Sequence, residues 1–173
     1  MPSSRTRTRI LAQKGGGWAL FFLLFLASAC FAESTSQPPK RNARPETGYI
    51  DIATPPPQGY IEVGIPIFFT TAFSDPDGSQ DLAYVEFLVN TSDTDIDGFL
   101  ARYYLTTNKL FLRQDKKWFG GISPGTNQTI ATAQGMLFCQ ETSVKITNIA
   151  VIVTWKLVFT KDFFGRKNIY LFA

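Results

Sequence analysis

An all-β sandwich is the fold that the 173-residue sequence predicts, and three observations predict it. From residue 60 onward apolar side chains recur with period two, the repeat of a strand that buries one face. The runs are rich in β-branched and aromatic residues and are separated by turn formers such as Asp75-Pro76-Asp77-Gly78 and Phe164-Gly165-Arg166. After the N-terminal apolar run, no segment holds a 3.6-residue period over ten residues.

The elements follow in order. Ile65, Ile67, Phe69, Thr71 and Phe73 share one face of a first strand. Ala83, Val85, Phe87 and Val89 share a face of the second, with Tyr84, Glu86 and Asn90 opposite. Phe99, Ala101, Tyr103 and Leu105 make a third, and Leu110 with Leu112 a short fourth. Lys116-Lys117-Trp118-Phe119-Gly120-Gly121 reads as a loop. The longest run is 149–160, where Val151, Val153, Trp155, Leu157 and Phe159 point one way and Thr154, Lys156 and Thr160 the other. Residues 168–173 give a last strand.

Composition narrows the chemistry. The chain is 45% hydrophobic and 18% charged, which fits a packed core. It has no histidine, so histidine-based acid/base pairs, Ser-His and Cys-His nucleophiles and histidine metal ligands are excluded. The formal charge of +3 is unevenly spread: Arg5, Arg7, Arg9 and Lys14 precede residue 33 without an acid. With those four set aside from the 17 basic residues, 13 face 14 acids, and no nucleic-acid footprint is expected.

The basic start leads through Gly15, Gly16 and Gly17 into an apolar run over 18–29. A bilayer-spanning helix needs about 20 such residues, so the run reads as a secretory signal. Two processing sites compete. Ala27-Ser28-Ala29-Cys30 resembles the lipobox of bacterial lipoproteins, which makes 1–29 the signal and Cys30 the acylated first residue; Ala27 departs from the larger aliphatic residue usual there. A cut after Cys30-Phe31-Ala32 would instead release a soluble protein beginning at Glu33. Either route leaves Cys139 without a partner, and Met136, Leu137 and Phe138 beside it indicate an inert, buried thiol. Residues 30–58 hold six of the ten prolines among Ser, Thr, Gln and scattered charges, and read as a disordered spacer ahead of a sandwich over 59–173.

Several stretches resemble, in order, an immunoglobulin-like module of unknown function found in large secreted or surface proteins of bacteria, often beside polycystic-kidney-type or cadherin-like repeats. They are Phe73-Ser74-Asp75-Pro76-Asp77-Gly78, Asp81-Leu82-Ala83-Tyr84-Val85, Tyr103 with Asn108-Lys109-Leu110-Phe111-Leu112, and Phe159 with Phe163-Phe164-Gly165-Arg166-Lys167-Asn168-Ile169-Tyr170-Leu171. The resemblance covers 59–173 and implies an immunoglobulin-like antiparallel β-sandwich outside the cytoplasm, with no activity. It also implies a cysteine four residues before Tyr103 that pairs with Cys139; Phe99 stands there instead. The resemblance also implies a final tryptophan-containing strand after residue 173; a domain without its last strand and a truncated reading frame both explain its absence, and the truncated frame is the favoured reading.

Asp93-x-Asp95-x-Asp97-Gly98 has the alternating carboxylates that open a calcium loop, but the twelfth position is Tyr104 where a bidentate Glu belongs, which excludes a full EF-hand. Asp75, Asp77 and Asp81 form a second acidic cluster that could hold calcium, although Asp-Pro-Asp-Gly is also a good turn for backbone reasons alone. Paired carboxylates raise glycoside hydrolysis, but here they sit in turn sequences where water keeps them ionised. Trp118, Tyr84 and Tyr104 are candidates to stack on sugar rings. The expectation is a non-catalytic module, secreted or lipid-anchored at a bacterial surface, with a structural or adhesive role and a protein or glycan partner. It uses no cofactor other than a conceivable calcium, and meets the membrane only through its N-terminus. A carbohydrate-binding module is the second reading and a hydrolase the third.

Overall fold

The computed structural model describes residues 42–52 and 60–173, apart from the side chains of 49–52. The signal, both cleavage sites, Cys30 and the rest of the spacer lie outside the described residues. The strands are β1 (Glu46–Ile52), β2 (Ile67–Ser74), β3 (Tyr84–Asn90), β4 (Phe99–Tyr104), β5 (Lys109–Gln114), β6 (Lys117–Ile122), β7 (Thr129–Ala131), β8 (Gly135–Phe138), β9 (Ser143–Ile146), β10 (Ala150–Phe159) and β11 (Asn168–Phe172). A single 3-10 turn, Ser79–Asp81, is the only helical piece among the described residues.

The described residues form an all-β sandwich of two antiparallel sheets. One runs β1-β2-β10-β8-β7, with β9 also on β10; the other runs β11-β3-β4-β5-β6. β10 is ten residues long, enough for one edge to hold β9 along Val151 to Thr154 and β8 along Leu157 to Phe159. Its period-two pattern puts Val151, Val153, Trp155 and Leu157 fully inside. These meet Phe87, Phe99, Tyr103, Leu110 and Leu112 of the facing sheet in one core. Aromatic rings stitch the two layers: Phe87 stacks on Trp155 at 6.0 Å, and Phe69 lies 5.1 Å from Phe87. The buried indole Nε1–H of Trp155 donates to Thr71 Oγ1 at 2.9 Å, and that hydroxyl donates to the Val153 carbonyl at 3.4 Å. The inward Thr71 thus satisfies a donor that burial would otherwise leave costly.

Several details differ from the sequence reading. Residues 46–52, assigned to the disordered spacer, form the edge strand β1, which pairs with β2 from Glu46↔Ser74 to Ile52↔Phe69. Thr47, Tyr49, Ile50 and Ile52 are strand formers, and the prolines that suggested a spacer lie outside the strand, where an edge tolerates them. β2 starts at Ile67, and Ile65 is 56% exposed, because Pro66 has no N–H to enter the ladder. The stretch read as a loop is strand β6, with a bulge against β5 where Leu110 pairs with Ile122 but Phe111 with Gly120. Gly120 has φ +120°, and a Cβ there would lie 2.7 Å from the Leu110 carbonyl oxygen, so the bulge requires glycine.

Candidate functional site

The three aromatic candidates converge. Tyr84 pairs with Tyr104 across β3 and β4, and Trp118 pairs with Arg113 across β6 and β5. Since side chains alternate along each strand, all three stand on the outer face of the β11-β3-β4-β5-β6 sheet. Arg102, which the sequence reading missed, sits at their centre, paired with Glu86 on β3 and Phe111 on β5. Its guanidinium carbon lies 4.2 Å from the Tyr84 ring centre, 4.1 Å from that of Trp118 and 5.2 Å from that of Tyr104. Its Nε donates to Glu86 Oε1 at 2.7 Å, and its Nη1 to the Tyr104 hydroxyl. Burial on its own would lower the Arg102 pKa, but the hydrogen bond and charge of Glu86, with help from Tyr104, hold it above its ordinary value.

The rings around this cation are set edge to face. Tyr84 and Tyr104 are inclined by 60°, Tyr104 and Phe111 by 87°, and Phe111 and Trp118 by 81°. A sugar stacks on a flat, open ring face. Here the rings turn across one another, and the guanidinium lies against Tyr84, Tyr104 and Trp118. The signal for Arg102 was present in the sequence: it shares its strand parity with Tyr104 and opposes the parity of Ala101 and Tyr103, which point inward.

The outer face is also roofed near β3. Asn90 Nδ2 donates to the carbonyls of Thr94 and Ile96 at 2.7 and 2.9 Å, folding the 91–98 loop back over the sheet. Leu88, Leu100, Glu86 and Asn90 are buried although they face outward. That loop carries the first acidic triplet. Asp95 Oδ2 lies 2.8 Å from Arg113 Nε, an ion pair whose N–H is not aimed along the contact. Asp95 and Asp97 line a cleft of about 240 Å³ with Lys116 and Gln134, whereas Asp93 is not among its lining residues.

The second triplet works as a turn and a clasp. Asp75 Oδ1 accepts the Asp77 N–H at 2.8 Å, the local bond that makes Asp a turn former. The amide nitrogen of Asn42, in the orientation its neighbours require, lies 3.2 Å from both Asp77 Oδ2 and Asp81 Oδ2, and the Ala43 N–H donates to Asp77 Oδ2. Asp77 and Asp81 therefore hold the segment that leads into β1. Among the described residues no three His, Cys, Asp or Glu side chains are grouped to hold a metal ion. Cys139 is fully buried and free, and burial pushes its thiol up to about 11. Comparisons with protein-family models, with curated proteins and with solved structures found no match in any of the three.

Proposed function

We propose that the chain is a non-catalytic module exported from a bacterial cytoplasm, secreted or lipid-anchored through Cys30, with a structural or adhesive role at the cell surface. The resemblance of 59–173 to immunoglobulin-like surface modules and the signal-like N-terminus support the setting. The observation that carries the reading is the occupation of the aromatic face by Arg102, 4.1 Å from Trp118 and 4.2 Å from Tyr84. The rings that would recognise a sugar are engaged by a cation from their own sheet, so they serve cohesion. The alternative, a carbohydrate-binding module, draws on the placement of Trp118, Tyr84 and Tyr104 on one face. A glycan array separates the two: the structural reading expects no saturable binding to any glycan. Saturable binding that is lost in Trp118→Ala, with the fold intact, would replace it by the carbohydrate reading.

A further inference from the structure

An apolar cleft of about 920 Å³ opens between the 60–63 segment and the 163–167 connection into β11, and none of its lining residues belongs to the Arg102 cluster. Its floor is made of core rings, Phe69, Phe159 and Phe163, each under a tenth exposed. Its rim keeps large apolar groups in water: Phe164 is 75% exposed and Tyr60 56%. Rings left wet around a concave apolar wall mark a surface suited to being covered.

The charge at the rim selects the ligand. Arg166 and Lys167 both line the cleft, and Glu62 is the one acid among the lining residues. A cationic ligand could seat itself on aromatic rings, but Lys167 Nζ already stands 4.6 Å from the centre of the Phe163 ring and would repel it. Arg166 is exposed, and its planar fork of donors matches a carboxylate. The floor rings are inclined to one another, Phe69 to Phe159 by 67° and Phe159 to Phe163 by 33°. No parallel slot for a flat ring results, whereas a flexible chain can follow such a surface. We propose that this cleft binds a single-chain fatty carboxylate, its alkyl chain on the aromatic floor and its head at Arg166 and Lys167. This ligand role is separate from the structural or adhesive one and stands or falls without it.

Titration calorimetry of the isolated full-length mature protein with dodecanoate, kept below its micelle concentration, tests the proposal. Expected are one saturable site per chain and at least tenfold weaker binding of dodecyltrimethylammonium, which has the same chain and the opposite head charge. Arg166→Glu and Phe164→Asp should each weaken dodecanoate at least tenfold. Both side chains are exposed, and equal urea midpoints would show the fold unharmed; if one variant is destabilised, the other decides. Absence of saturable uptake, equal binding of the two head groups, or indifference to both substitutions would overturn the proposal. So would flotation with phosphatidylglycerol vesicles in a protein that ignores monomeric dodecanoate, since that outcome assigns the cleft to a membrane surface.

Discussion

Arg102 and Glu86 face each other with about an eighth of each side chain exposed, so neither charge has much water to fall back on. Removing one partner of such a pair leaves the other desolvated and uncompensated, which costs more than the pair itself contributes. Arg102→Ala should lower unfolding stability by about 2–3 kcal/mol, counting the lost ring contacts as well. Arg102→Lys should fall in between, since an ammonium keeps the charge but loses the planar stacking. Urea unfolding measures both, and a loss under ~0.5 kcal/mol for Arg102→Ala, within the range of ordinary surface substitutions, would mean that the cluster is ornament. Cys139 gives a pH prediction. Below about pH 9, the ordinary thiol value, folded and unfolded thiols both keep their proton and the group contributes no pH dependence. As the pH rises towards about 11 the unfolded thiol ionises while the buried one holds its proton, so stability falls across that window. Tyr103, also raised by burial, adds to the fall in the same direction. Urea midpoints between pH 8 and 11 should drop less steeply in Cys139→Ala than in the parent chain; parallel curves would refute the assignment.

The hairpin between β5 and β6 shows what periodicity can and cannot reveal. Gln114 pairs with Lys117, leaving the two-residue turn Asp115-Lys116, with φ of 51° and 62°. Two positive φ values in a row make the tight turn whose twist suits a hairpin, and it favours Asn-Gly or Asp-Gly. With lysine at the second position the usual signal was missing, and β6 was read as a loop. Lys116→Gly should relieve the left-handed strain and stabilise the domain by up to about 1 kcal/mol, seen as a higher urea midpoint. No gain, or a loss, would place the cost of the turn elsewhere. β2, β3, β4, β5 and β10 were legible because one face of each is a run of core residues, and β11 because Ile169 and Leu171, partly buried against that core, alternate with Asn168 and Tyr170. β7, β8 and β9 are three or four residues long, too short for a period to show. β1 was hidden by its flanking prolines. At the site, Tyr84 and Tyr104 were found from their faces and Trp118 from a stretch read as a loop; the outward parity of Arg102 was readable, but its partners come together only when four strands are laid side by side. The acidic turn read first as a backbone device and second as a metal site; the Asp75–Asp77 bond fits the first reading, while the contacts of Asp77 and Asp81 with 42–43 are a use that the sequence did not announce.

At the scale of the whole described domain, two sheets close over one aromatic core, and three groups that could otherwise react or bind are taken up by that architecture. The Trp155 N–H is satisfied by Thr71, the Cys139 thiol is sealed, and the outer rings gather on Arg102. Export is the premise beneath the proposed role. Mass measurement of the protein recovered from its native cells, with intact cells first exposed to protease, probes that premise. We expect a protease-accessible chain whose first residue is Cys30 bearing acyl mass, or Glu33 without it. An intact chain beginning at Met1, found inside the cell and shielded from the protease, would show that the module does not work at the cell surface.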